Sequence, residues 1–330
     1  MPANLPPQYS KAEDEFRKAS TPAARLDTLR EMFRLLPKHK GTEKLQSDLK
    51  KRISRARDDL DEAKSGGKGT TVGHRVPRDG AGQVVLVGAP NSGKSAMLAA
   101  LTNARPEIAA YPYTTRVPYP GMMPWEDIRV QLVDLPPVAK DFMEPWVPNI
   151  VRAADSALLF ADLGDDDVAD AVEAVLTRLS AVHTELVGDL PFDVEDETIQ
   201  HVKTVMVASK ADAPGADDRL AIVREWFGGR FPIVAASAAT GAGLDEVRRA
   251  AYDSLGVMRV YTKPPGKPVD RDRPFTLPSG SVVVDLAREV HRDLEQSLKF
   301  ARVWGSGAFD GQTVKRDHEL RDADVVELHT

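Results

Sequence analysis

The sequence predicts an α/β protein: a doubly wound, mostly parallel sheet, preceded by a helical region and followed by a smaller α+β module. Three observations carry this. From residue 83 to residue 256, apolar strand-like runs alternate with helical stripes, the pattern of a parallel sheet covered on both faces. Before residue 65 only helical periodicity is present. After Gly256, short strands surround a single helical stretch within about 75 residues, which suits a small α+β unit. The organisation expected is a helical region with a basic linker at 1–79, the α/β domain at 80–256 and the module at 257–330.

In the first region, Thr21-Pro22 is a helix start, with threonine as cap and proline at the first helical position. Leu26, Leu29, Phe33 and Leu36 follow at helical spacing, and Pro37 stops the run. A second stripe, Leu45, Leu49, Ile53, Ala56 and Leu60, marks a longer helix. Its other faces carry Lys44, Lys50, Lys51, Arg52, Arg55 and Arg57, either a solvated face or a helix that contacts phosphates. Residues 64–82 are rich in glycine and basic residues without periodicity, and read as a linker.

In the second region strands are expected at 83–88, 128–134, 156–162, 203–208 and 232–236, and helices at 94–102, 146–154, 166–183, 216–227 and 243–255. The acidic stretch 188–200, with Pro191, reads as an inserted loop. In the third, strands are expected at 257–262, 275–277, 300–304 and 324–328, with a helix over 282–294.

The most specific motif is Gly88-Ala89-Pro90-Asn91-Ser92-Gly93-Lys94-Ser95, which fits G-x-x-x-x-G-K-[ST] between the strand Val84–Val87 and the helix that opens at Ala96. Glycines let backbone N–H groups turn inward around phosphate oxygens, and the helix N-terminus adds its positive end. Lys94 is then placed for the β- and γ-phosphates and the Ser95 hydroxyl for Mg²⁺. Four further segments follow in the order expected of a GTPase. Thr114 and Thr115, in a proline-rich loop, can complete Mg²⁺ coordination and sense a γ-phosphate. Asp134 ends an apolar strand and can hold Mg²⁺. Ser209-Lys210-Ala211-Asp212 closes another strand: the Asp212 carboxylate can accept from guanine N1–H and the exocyclic amine, while the Lys210 stem lies along the base. Ser237-Ala238 offers a backbone N–H to guanine O6 or is a plain loop. Cofactor-binding candidates are thus Gly88, Asn91, Ser92, Gly93, Lys94, Ser95, Ala96, Thr114, Thr115, Ser209, Lys210, Asp212, Ser237 and Ala238. Lys94 and Thr115 are the catalytic candidates, and Ser95, Thr115 and Asp134 the metal ligands.

Bulk properties narrow the setting. There is no cysteine, which excludes disulfides and suits the cytoplasm. No apolar run approaches the roughly 18 residues of a membrane span, so no membrane is expected. The net charge of −6 hides an asymmetry: residues 1–80 hold 18 Lys+Arg against 12 Asp+Glu, and the remainder 26 against 38. A basic segment on an acidic body points to an anionic partner for that segment. His183, His201, His291, His318 and His329 have no metal-ligand spacing.

Together these residues resemble the Obg-like branch of translation-factor-type GTPases, and especially the developmentally regulated GTP-binding protein family. Tyr111-Pro112-Tyr113-Thr114-Thr115 resembles that branch's Y-x-F-T-T switch, and Gly41-Thr42-Glu43-Lys44-Leu45 with the basic helix behind it resembles the family's N-terminal region. Arg259-Val260-Tyr261-Thr262-Lys263-Pro264, Val303-Trp304-Gly305-Ser306, Asp317-His318 and Asp322-Ala323-Asp324-Val325-Val326 resemble its C-terminal TGS domain. The resemblance implies a P-loop GTPase domain, a β-grasp TGS domain, GTP/GDP with Mg²⁺, and ribosomes or structured RNA as partners through the helix 44–57 and the TGS-like module.

Some residues depart from the family pattern. The third motif, D-x-P-G in the family, is Asp134-Leu135-Pro136-Pro137. Pro137 has no N–H, so the glycine's contact to a γ-phosphate cannot form. Ser209 stands where Asn or Thr is common, with shorter reach than Asn. No Gln follows Asp134 to orient water; Val138 and Ala139 occupy that neighbourhood. Asn91 lies where potassium-stimulated relatives carry an ion-binding Asn, and is either part of a K⁺ site or a turn residue. The family's smaller inserted domain is expected to be absent, because Asp134 and Ala208 stand too close in sequence. Two functions follow: a slow GTPase on ribosomes or RNA, or a non-hydrolysing module stabilised by guanine nucleotide. An ATP-using phosphotransferase is disfavoured by Asp212.

Overall fold

The computed structural model of the protein describes residues 22–35, 49, 76–102, 117–193, 196–305 and 309–330. The chain divides into two units between residues 73 and 74. In the first, a helix runs Pro22–Leu35. Proline opens it because that position needs no N–H and a φ near −65°. Leu29 and Met32 are buried on it, and Leu49, also helical, is buried as well. The rest of the second stripe, with its basic residues between 44 and 57, lies outside the described residues.

The second unit holds two sheets. The larger has seven strands: β1 Gln83–Gly88, β2 Tyr119–Trp125, β3 Ile128–Asp134, β4 Ser156–Asp162, β5 Thr184–Val187, β6 Gln200–Ser209 and β7 Ile233–Ala235. The path is β2-β3-β1-β4-β6-β5, with β7 also paired to β6. All pairs are parallel except β2 with β3. Every residue of β1 is buried, as a central parallel strand requires. Its side chains alternate between two cores: Val85 and Val87 join the helices Val147–Ala153, Val168–Ser180 and Ala216–Phe227, while Val84 and Leu86 join Lys94–Leu101 and Leu244–Ser254. The doubly wound sheet expected from the alternation is therefore present.

Three elements differ from expectation. β2 was invisible because Pro120, Gly121 and Pro124 break its pattern. It is an edge strand, where proline's missing N–H leaves no gap in a ladder. β5 follows the helix Val168–Ser180, which ends three residues short of the expected 183; His183 at φ 58 redirects the chain. β5 pairs with Gln200–Lys203 and β7 with Met206–Ala208, and the Gly188 N–H donates to the Arg230 carbonyl between them (3.1 Å).

The second sheet has five strands, ordered β11-β10-β12-β8-β9: β8 Val257–Thr262, β9 Asp270–Pro278, β10 Phe300–Trp304, β11 Gln312–Val314 and β12 Asp324–His329. Central β12 and β8 are parallel, the other pairs antiparallel, and the helix Val283–Val290 buries Val283, Leu286 and Ala287 against the sheet, a β-grasp arrangement. The helix expected over 282–294 breaks at extended His291, whose Nδ1 accepts the Asp293 N–H (3.1 Å) and starts a short helix, Arg292–Ser297.

This module is fastened to the β2–β3 hairpin. Arg259 on β8 donates from Nη1 to Asp127 Oδ1 (3.0 Å) at the hairpin turn and from Nη2 to Asp322 Oδ2 (2.8 Å). Tyr261 donates its hydroxyl to the other Asp127 oxygen. Tyr252, in the last helix of the α/β domain, donates to Asp322 (3.2 Å) and stacks on Trp125 with ring centres 5.6 Å apart.

Candidate nucleotide site

The candidate residues gather at the C-terminal ends of β1, β3, β6 and β7, where open α/β sheets bind ligands. Gly88 ends β1 because a Cβ there would lie 2.8 Å from Ser92 Oγ and 2.9 Å from Phe160 Cβ. Gly93, at φ 86, turns the loop into the helix Lys94–Leu101 and caps it with no side chain. The first bond of that helix is Met97 N–H to the Gly93 carbonyl (2.9 Å). The N–H groups of Gly93, Lys94, Ser95 and Ala96 therefore have no acceptor among the described residues, which is the donor set an anion at a helix N-terminus uses. Asn91 is exposed at φ 60, a left-handed position that asparagine tolerates. This gives the turn reading of Asn91 a physical basis.

Lys94 is buried and folded back into its own loop. Its Nζ donates to the carbonyls of Gly88 (3.0 Å) and Ala89 (2.8 Å) and to Ser92 Oγ (3.3 Å). Burial pulls its pKa down to about 8, against the opposing pull of Asp134. Ser95 Oγ donates to Asp134 Oδ2 (2.5 Å). Helix and strand β3 thus bring a hydroxyl and a fully buried carboxylate together, hard oxygen donors that suit Mg²⁺. Thr114 and Thr115 lie outside the described residues.

Two successive residues after Leu135 have no donor to offer a phosphate. Pro136 and Pro137 are buried and lack N–H groups. The next N–H, from Val138, donates to the Gly88 carbonyl (3.1 Å). Ala139 and Phe142 then exchange two backbone hydrogen bonds (2.8 and 3.2 Å), closing a tight turn.

The second half of the site is better connected than its sequence suggested. Ser209 is short, but β6 carries it close enough that its buried Oγ donates to the Ser92 carbonyl (2.7 Å), with the Ala161 carbonyl as a second acceptor in reach (3.1 Å). Lys210 sits at φ 56 and its Nζ pairs with Asp162 Oδ2 (2.6 Å). Asp212 is exposed, and no described side chain pairs with it. Ser237 is buried, and its Oγ accepts from the N–H groups of Ala239 (3.2 Å) and Thr240 (3.1 Å), which holds Ala238 at the loop's bend with its own N–H untaken by a described acceptor. Sequence reasoning missed Asp162 and the Val138 N–H. A carboxylate ending a strand next to β6 was the available signal for the first; the second is a backbone contact with no residue signature.

The comparisons agree with this geometry. Residues 83–205 match the family described as 50S ribosome-binding GTPase, and residues 258–330 match the TGS domain. The chain is 28% identical over 351 residues to a developmentally-regulated G-protein 1 of Arabidopsis thaliana, covering 88% of this chain and 87% of that protein. It is 26% identical over 360 residues to an uncharacterized GTP-binding protein of Methanocaldococcus jannaschii, covering 91% and 90%. Among solved structures, a GTP binding protein from Pyrococcus horikoshii OT3 superposes with a TM-score of 0.50 at 18% identity, covering 75% of this chain and 99% of that one, a likeness of fold. The protein is a P-loop GTPase-fold chain with a C-terminal TGS domain. Over most of its length it is similar to proteins named developmentally regulated G-proteins or GTP-binding proteins. Of the 351 positions aligned with the Arabidopsis protein, about 290 are residues of this chain (88% of 330), so about 60 fall where the relative has residues and this chain has none.

Proposed function

We propose that the protein binds guanine nucleotide at the loop Gly88–Ser95 and is a slow GTPase of the cytoplasm that works on ribosomes or another RNA complex. The observation that carries this reading is the uncapped helix start beside buried Lys94, with Asp212 two strands away after β6 and the Ala238 N–H one strand further, after β7. The N–H groups of Gly93 to Ala96 would hold phosphate oxygens, and Lys94 would exchange three neutral acceptors for an anion. Ser95 and Asp134 would hold Mg²⁺, which supplies charge neutralisation at the phosphates. Thr115, or Thr114, would close over them. Asp212 would select guanine over adenine, since adenine lacks the N1–H and amine donor pair. With Val138 and Ala139 in place of a water-orienting Gln, hydrolysis would rest on positioning and charge, with K⁺ beside Asn91 as an added cation. Equal turnover in K⁺ and Na⁺ removes K⁺ from the scheme.

The TGS domain and the basic segment 44–57 are the RNA contacts in this reading. Binding to ribosomes should then fall steeply with salt, and replacing Lys50, Lys51, Arg52 and Arg55 by Glu should weaken it. Unchanged binding in that variant overturns the assignment.

One observation favours a second reading, a nucleotide-stabilised binding module that does not switch. Pro136 and Pro137 offer no N–H, and the Val138 N–H is taken by Gly88. A site without a γ-phosphate sensor in this segment binds GTP and GDP alike, and ligands with equal affinity for two states shift neither. Paired titrations with GDP and a non-hydrolysable GTP analogue, with ATP as control, decide between them: a clear difference between guanine nucleotides supports switching, and equal affinities without turnover support the module. Absence of guanine binding refutes both.

A further inference from the structure

We propose that Asp162 is a positioning residue for base recognition, holding the Lys210 side chain extended as one wall of the guanine slot. The inference rests on the guanine-nucleotide reading and adds to it a residue that touches no nucleotide. Asp162 is the last residue of β4 and stands in register with Ser209, the last residue of β6. The Leu163 N–H donates to the Ser209 carbonyl (2.9 Å), so the two strand ends are tied where Lys210 leaves the sheet. Lys210 leaves it with φ 56, a backbone conformation that L-residues avoid unless their surroundings impose it. Asp162 then divides its carboxylate. Oδ1 accepts the Gly164 N–H (2.8 Å), and Oδ2 accepts Lys210 Nζ (2.6 Å). The aspartate is 12% exposed and the lysine 42%, so the anchor is sheltered while the lysine keeps an open side.

Two neighbours support the arrangement. A Cβ on Gly164 would stand 3.3 Å from Lys210 Cδ, so glycine leaves the stem room to lie down. Arg219 fixes the loop beneath by donating to the Leu163 carbonyl (2.5 Å) and the Pro214 carbonyl and pairing with Asp166 (2.8 Å). Asp212, two residues after Lys210, is the exposed carboxylate assigned to the base edge. In this proposal, pinning Nζ at the far end holds the four methylenes as an apolar strip for the base, two residues before the carboxylate that reads its edge. An unpinned lysine would have to give up its rotamer freedom each time a base docks.

The test separates base binding from phosphate binding. The full chain, Asp162→Ala and Asp162→Asn are titrated calorimetrically in Mg²⁺ with GDP and with inorganic pyrophosphate, which has no base. Asp162→Asn keeps an acceptor for the Gly164 N–H and so guards against a folding defect. Both variants should bind GDP about tenfold more weakly, the affinity equivalent of one lysine's rotamer freedom, and bind pyrophosphate like the parent. GDP affinity within twofold of the parent overturns the proposal. Equal losses for GDP and pyrophosphate also overturn it, because they mark a merely structural role. Failure of the parent chain itself to bind GDP refutes the guanine reading, and the proposal with it.

Discussion

Replacing Arg259 by Met should loosen the TGS domain from the hairpin between β2 and β3, and the structure sets the size of the effect. The guanidinium is 14% exposed and bridges Asp127, 27% exposed, and Asp322, 43% exposed. Hydrogen bonds to charged groups contribute about 1.5–3 kcal/mol when sheltered, and exposed ion pairs well under 1 kcal/mol. With carboxylates this exposed, about 1 kcal/mol for each pair is reasonable, so the variant should lose about 2 kcal/mol in urea unfolding of the full chain. A double-mutant cycle with Asp127→Asn should return a coupling of about 1 kcal/mol. The pH dependence follows from both aspartates. Burial pushes each carboxyl up, but hydrogen bonds from Tyr261 and Arg259 at Asp127, and from Arg259 and Tyr252 at Asp322, outweigh it and hold both below the usual carboxylate range. A folded pKa below the unfolded value gives stability that is present above about pH 4 and lost as pH falls further. The gap between parent and variant should therefore be full at pH 7 and narrow below pH 4. Additivity of the two substitutions within about 0.3 kcal/mol at pH 7 would refute the clamp as an energetic link.

Lys94→Met should abolish the rise in melting temperature that GDP produces, yet leave the nucleotide-free protein as stable or more so, because a buried ammonium with a pKa near 8 is costly to hold charged. The folded pKa lies below the unfolded one, so nucleotide-free stability should climb between pH 8 and 10, while GDP affinity in the parent, flat below pH 8, should fall about tenfold by pH 9 as binding begins to require a proton; a flat profile from pH 7 to 9 contradicts this. Pro137→Gly restores an N–H at the third motif and should create a preference for a GTP analogue over GDP, at about 1 kcal/mol of stability from greater chain freedom; identical nucleotide ratios in parent and variant would place the γ-phosphate sensor elsewhere. Asp212→Asn turns a pure acceptor into a mixed donor and acceptor, so affinity should move from GDP toward XDP, whose base carries an oxygen in place of the amine. Unaltered GDP binding in that variant would remove Asp212 from the base edge.

The loop Gly88–Ser95 was legible because each residue type has a local reason. The glycine at 93 adopts φ 86, and the apolar run before it makes a central strand. β2 was not legible, since its prolines are tolerated only by virtue of an edge position that pairing with β3 creates. Ser209 read as a weakened residue from its side-chain length alone, yet the register of β6 against β4 delivers its hydroxyl to the Ser92 carbonyl. Asp162 passed unnoticed because its partner Lys210 lies 48 residues away in sequence.

The sequence by itself determined the alternation of central strands and helices, the phosphate loop, and the loss of an N–H at Pro137, since these depend on hydrophobic period and on the covalent structure of single residues. Tertiary structure decided that the Val138 N–H after the third motif is taken by the Gly88 carbonyl, that Asp162 at the end of β4 holds Lys210, and that Arg259 joins the TGS domain to the hairpin turn at Asp127. Each of these is a contact between chain segments far apart in sequence, fixed by strand register and packing, to which no local pattern of residues corresponds.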